Sequence, residues 1–187
     1  MVPVTSLWMP IVLSAVFVFI VSSIVHMVLP FHRGDFRTMP KEDEVMSALR
    51  GFHIPPGDYM MPKPNGPADM RSPAFIEKMT KGPVAIMTFR QPGPPSMGGN
   101  LVQWFLFSVV VSLFSGYIAA RAVGPGSDYL HVFRFVGTSA FLAYGIGQWP
   151  VSIWYSRSWA TTMKGTFDGL VYALVTAGTF GWLWPKM

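Results

Sequence analysis

The chain has 187 residues, of which 51% are hydrophobic and 12% charged, with a formal charge of +5. A soluble domain carries about 25% charged residues, so this composition points to lipid rather than water as the main solvent. Without Cys there are no disulfides or thiolate metal sites, and no Arg/Lys stripe is interleaved with aromatics, so nucleic acid is not an expected partner.

A first apolar span runs over residues 7–29. It lacks a basic leading segment and ends at His26-Met27-Val28-Leu29-Pro30 instead of a small-residue cleavage site, which predicts a retained helix. Ser14, Ser22 and His26 share one face at multiples of four and are expected to look inward. Residues 31–99 differ in kind, holding nine of the 14 Lys/Arg and seven of the nine Asp/Glu. Two short helices are predicted there, one starting near Thr38-Met39-Pro40 and stopping at Gly51, the other starting at Ser72-Pro73 and stopping at Gly82. IPPGDYMMPKPNGP between them reads as turns throughout, and residues 83–90 as one extended strand.

Three further spans follow, over residues 100–122, 127–154 (with a kink expected at Pro150) and 159–184. The expected fold is therefore all-α: a four-helix transmembrane bundle with a mostly irregular insertion containing two short helices. Residues 1–30 form the first helix, 31–99 the loop region and 100–187 a three-helix segment, together one membrane domain. Near the helix ends, the side of the large loop holds Arg33, Arg37, Lys41, Lys81, Arg90, Arg157 and Lys164, against Arg121, Arg134 and Lys186 on the other. The positive-inside rule then places residues 31–99 in the cytoplasm and both termini outside. The seven Trp all fall near proposed helix ends, as interfacial anchors do.

Small residues recur at every fourth position on three spans: Ser108, Ser112, Gly116 and Ala120; Ser139, Ala143 and Gly147; Gly165, Gly169, Ala173, Ala177 and Gly181. Such ridges let helix backbones approach closely, either within one bundle or between copies in a homo-oligomer or larger membrane complex. Asp168 lies roughly 9 Å into the fourth span at 1.5 Å per residue. An acid at that depth faces a protein interior or a wet cavity. His26, Gln103, Gln148 and Lys164 sit at matching depth on the same side, which predicts one polar cluster of five residues. Lys164 shares a helical face with Asp168 at i, i+4. His32 and His53 are assigned to the loop and His131 to the far side, so no histidine pair faces across the bundle, and neither a metal nor another cofactor is expected. No phosphate loop, zinc-helix motif or nucleophile elbow is present, and no catalytic residue is assigned.

The segments SLWMPIVLSAVFVFIVSSIVHMVLPFHRGDF, PPGDYMMP and FDGLVYALVTAGTFGWLWP resemble a group of small four-span bacterial inner-membrane proteins without an assigned activity. That resemblance implies the bacterial plasma membrane and carries no site residue over. Three functions remain in view, the first favoured by the missing catalytic motifs: a non-enzymatic accessory subunit or small homo-oligomer, a transporter or channel using the Asp/His cluster, and a membrane enzyme acting on lipid or quinone.

Overall fold

The computed structural model describes residues 1–186. The chain is mostly helical. In order it forms α1 (Trp8–Ser23), α2 (Glu42–Arg50), β1 (Gly57–Met61), α3 (Pro73–Lys81), β2 (Ala85–Phe89), α4 (Gly98–Ala122), α5 (Tyr129–Tyr144), α6 (Trp149–Tyr155) and α7 (Trp159–Leu183). Two compact units result: Arg37–Pro95, and Met1–Phe36 together with the chain from Ser96 onward. Residues 31–36, expected in the loop region, therefore belong with the long helices.

Two helices are long and apolar enough to cross a membrane, Val4–Val28 (α1 with its flanking turns) and Gly98–Ala122. In the helical unit, α1 packs on α4 and α7, and α5 packs on α4 and most extensively on α7. Its interior is small and partly polar. Ser14, Ser108, Ser112, Thr162 and Thr176 are fully buried beside Ala119, Ala120, Ala140 and Ala177. Large apolar side chains point outward instead, among them Phe114, Leu130, Leu142, Phe167 and Trp182. Ser14 Oγ on α1 donates to Ser112 Oγ on α4 at 2.9 Å, tying two of these interior positions together.

Glycines set the closest approaches. A Cβ at Gly169 would lie 2.5 Å from the Cα and N of Gly145, so the α7 backbone rests directly on the end of α5. A Cβ at Gly116 of α4 would meet the Phe180 ring at 2.7 Å, and Phe180 fills that space completely buried. Ser108, Ser112 and Ala120 are buried on the same α4 face, as are Ala173 and Ala177 on α7. Gly165 lies under the Gln148 side chain and Gly181 under the Tyr129 ring. On α5 the buried face is Val132, Val136, Ala140 and Tyr144, while Ser139 is only half-buried and Ala143 and Gly147 are exposed. Small size alone did not locate that face, because the β-branched Val132 and Val136 supply most of it.

The third span also breaks earlier than expected. α5 ends at Tyr144, a 3-10 turn covers Ile146–Gln148, and Pro150 stands in the first turn of α6. A proline ring clashes with the carbonyl four residues before it, here Ile146, and Gly145 and Gly147 are poor helix formers. The helix therefore yields upstream of the proline.

In the Arg37–Pro95 unit, α2 opens on Glu42, Asp43 and Glu44, and the Ser72 hydroxyl caps α3 by accepting from Phe75 N–H at 3.1 Å. The expected strand is β2. Its antiparallel partner β1, with Tyr59 opposite Met87, lies inside the stretch read as turns, so the insertion is less irregular than expected and the fold is not purely α. Flanking prolines hid the short strand, which is closed by a 2.6 Å bond from Thr88 Oγ1 to Asp58 Oδ1. Nor are all Trp residues peripheral anchors. Trp184 is buried and donates to the Gly124 carbonyl at 3.0 Å.

Gly169→Val is expected to lower stability by about 1–3 kcal/mol through overpacking against Gly145. Gly99→Ala, at a helical position with open space around it, is expected to raise stability by roughly 0.5–1 kcal/mol. Thermal unfolding of both variants in detergent checks the contrast.

Candidate functional site

The site begins where α1 loses its regular winding. Ile24–Val28 form a π-helical turn, closed by Leu29 N–H donating to Ile24 O at 3.1 Å. Pro30 then starts a tight 3-10 turn, and Arg33 N–H and Asp35 N–H donate back to Pro30 O and His32 O. This reversal folds His32 onto His26. Their rings stack with centroids 4.4 Å apart and planes 7° from parallel.

Lys164 of α7 fastens the turn in place. Its ammonium donates at 2.8 Å to both Phe31 O and Asp35 Oδ1 and lies 5.3 Å from the Phe31 ring centroid. Asp35 Oδ2 in turn lies 2.7 Å from His32 Nδ1, and His32 Nε2 lies 2.9 Å from Asp168 Oδ2. A continuous line of ionisable groups thus runs Lys164, Asp35, His32, Asp168. The Lys164 ammonium holds the Asp35 carboxyl below its ordinary range, assisted by His32 and opposed by partial burial.

The last contact is close but not a hydrogen bond. His32 Nε2 and Asp168 Oδ2 are both shielded from solvent, and among the described residues neither has an aligned partner. Proximity without alignment makes the pair an electrostatic contact only. Asp168 is 4% exposed, so its unsatisfied oxygen is costly unless something else completes it.

Asp168 lines a cavity of about 220 Å³ together with His26, Trp104, Tyr144, Gln148 and Tyr172. Trp104, Tyr144 and Tyr172 form an aromatic group with ring centroids 5.8–6.2 Å apart. Their polar ends are engaged: Trp104 Nε1 donates to Ser22 Oγ at 2.8 Å, and Tyr172 Oη lies 3.4 Å from His26 Nδ1.

Of the five residues expected to cluster, His26, Gln148 and Asp168 line this one cavity. Gln148 spends its amide on structure, donating to Tyr144 O at 2.6 Å and Gly165 O at 3.0 Å across the break after α5. Lys164 pairs with Asp35 instead of Asp168. Gln103 is exposed and forms no side-chain hydrogen bond among the described residues, because its position on α4 faces away from the interior. His32 and Asp35 were not in the expected cluster. Their signal in the sequence is the His-x-x-Asp spacing of HRGDF just past the first span, which brings the two side chains together on one turn.

No family model, curated protein or solved structure matches the chain. The geometry alone bears on what the site does.

Lys164→Met leaves Asp35 Oδ1 and the Phe31 carbonyl without the lysine donor, while Asp35 Oδ2 keeps His32. It is expected to cost about 1.5–3 kcal/mol, the scale for hydrogen bonds to charged groups. Lys81→Met, which breaks an exposed pair with Glu77, is expected to leave the melting temperature unchanged. Equal effects in the two variants would show that the turn does not depend on Lys164.

Proposed function

We propose that this is an integral membrane protein with four antiparallel spans, and that the His/Asp group at one end of them binds a cation or handles protons. The observation carrying the second half is a buried Asp168 oxygen that has no aligned donor and stands at the wall of a cavity. A purely structural carboxylate is expected to be fully bonded.

Support for four spans comes from the surfaces of α5, α6 and α7. Leu130, Phe135, Leu142, Ile153 and Trp154 are exposed on α5 and α6, and Met163, Phe167, Leu170, Leu174 and Trp182 on α7. α7 is less apolar in composition because of its threonines. Those of Thr166, Thr176 and Thr179 bond the carbonyls of Thr162, Tyr172 and Val175 in their own helix, so these hydroxyls ask little of the surroundings. The lysine and arginine distribution favours residues 31–99 on the cytoplasmic side and both termini outside, and the resemblance noted in the sequence favours the bacterial plasma membrane. An accessory or oligomeric role draws less support, since the small-residue faces of α4 and α7 are used within the chain.

The absence of native Cys makes both halves testable with single cysteines. Ser127→Cys is expected to react with an impermeant maleimide on intact cells, and Arg157→Cys only after permeabilisation. Reaction of both from outside would leave two crossings instead of four. At the cavity, Ala143→Cys is expected to react with a small charged thiosulfonate many times faster than Val110→Cys on the apolar surface. Equal inertness of the two would remove the open site.

A further inference from the structure

A ring nitrogen of His26, a ring nitrogen of His32 and a carboxylate oxygen of Asp168 all lie within 4.8 Å of one another. We propose that these three residues form the protein-side ligands of a divalent transition-metal ion, with water from the adjoining cavity filling the open positions. The inference rests on the open site proposed above and names its ligand.

Imidazole and carboxylate together suit zinc and its first-row neighbours, whereas magnesium and calcium favour all-oxygen sets. Two features set this group apart from an ordinary His–Asp ion pair. First, both histidines have Nδ1 engaged elsewhere. His26 Nδ1 lies 3.1 Å from the Ser22 carbonyl, to which it donates, and His32 Nδ1 lies 2.7 Å from Asp35 Oδ2. With the proton held on Nδ1, each Nε2 carries a lone pair, as a metal-binding imidazole requires. A carboxylate or backbone carbonyl behind each ligating ring is the usual outer-shell arrangement, and here both kinds occur.

Second, the His32 Nε2 and Asp168 Oδ2 atoms are near neighbours that are not aligned on each other. In the neutral Nδ1–H form Nε2 has no hydrogen to give and two acceptors face each other at 2.9 Å, while in an imidazolium the Nε2–H is not aligned on the carboxylate, so neither form completes Asp168 Oδ2. A shared cation resolves that conflict, and 2.9 Å is the spacing of two ligands about 2.1 Å from one ion at roughly 90°, an octahedral edge rather than the wider tetrahedral one. The stacked rings hold their lone pairs in separate parallel planes, so His26 must tilt out of the stack to reach the ion, and its exposed position on the π-helical turn leaves space for that. Two neutral imidazoles and one carboxylate leave a bound dication with net positive charge. Asp35, behind His32, is already paired with the Lys164 ammonium, so its part is to orient the His32 ring.

The full chain in detergent, stripped with chelator and then equilibrated with Zn²⁺ or Co²⁺, is expected to retain a single ion per chain by elemental analysis. The Co²⁺ form is expected to show visible ligand-field absorption, and Zn²⁺ but not Mg²⁺ to raise the melting temperature. Asp168→Asn and His26→Gln are each expected to lose the ion and the absorption. Asp35→Asn is expected to weaken retention by about 10–100-fold, as loss of an outer-shell carboxylate does, and His53→Ala in the other unit to change nothing. Should Asp168→Asn fail to fold, His26→Gln carries the test, because His26 is exposed and its ring bonds only Ser22 and Tyr172. Zn²⁺ retention by the variants equal to that of the wild type, equal stabilisation by Mg²⁺, or no retention by the wild type overturns the site. A reactive Ala143→Cys without Zn²⁺ retention overturns the metal alone; an inert Ala143→Cys without retention overturns the open site as well.

Discussion

The approach of Gly169 to Gly145 fixes the rest of the helical unit. Backbone rests on backbone there, with no room for even a methyl group. That contact brings α5 and α7 together at the point where α5 stops, so Tyr144 at its last turn meets Tyr172 of α7 ring to ring. It also presents the carbonyls of Tyr144 and Gly165 to the Gln148 amide, which bridges the gap left by the broken helix. Asp168 is the next residue along from Gly169. It is buried beside an open volume that Tyr144 at the end of α5 and Gln148 in the turn after it also line.

A carboxylate so placed needs compensation, and it is drawn from the chain just beyond α1. The π-helical turn and Pro30 reverse the backbone within a few residues, putting His32 over His26 and Asp35 behind His32. Without Lys164 this turn would be a short polar segment with little apolar contact beyond Phe31. With it, two 2.8 Å bonds anchor the turn to α7, and the same ammonium lowers the proton affinity of Asp35. The network couples the end of α1 to α7 at the one level where both carry charge. Ser14–Ser112 and Trp104–Ser22 hold α1 to α4 at other levels.

Much of this architecture was legible in the residues. The long helices, both short helices and strand 85–89 follow from hydrophobic run length, capping residues and turn chemistry. So does the burial of Asp168, because a polar residue inside an apolar run leaves few places to go. Local spacing misled where the partner was distant in sequence. Lys164 and Asp168 share a helical face, yet Asp35, 129 positions away, takes the lysine. His32 looked like a loop residue because the helix of α1 ends before it; Pro30 and the His-x-x-Asp spacing mark a local turn, but not that the turn lays His32 against His26 and Asp168. On α5, Ser139, Ala143 and Gly147 mimic a packing ridge. The true face lies elsewhere on the helix because α7 is itself lined with glycine and alanine and takes Val132, Val136 and Tyr144 without crowding.

The distribution of polarity explains why the site lies where it does. Many serine and threonine hydroxyls in the interior are closed, on their own helix, between α1 and α4 or between α6 and α7, so those positions make no demand on water or ions. Two unclosed atoms, His32 Nε2 and Asp168 Oδ2, lie instead at the level of His26 and Asp168, where a helix break, a π-helical turn and a cavity coincide. Regular helices leave no room for a ligand between backbones as close as Gly169 and Gly145. Both irregularities occur within reach of Asp168, and each contributes part of what regular packing withholds. The break after Tyr144 opens volume, and the turn after Ser23 delivers imidazoles. A structural acid could have been satisfied by one more hydroxyl of the kind this interior has in abundance. The chain places two imidazoles beside it, each with its Nδ1 already committed, and that choice fits a site for a cation better than a fastening between helices.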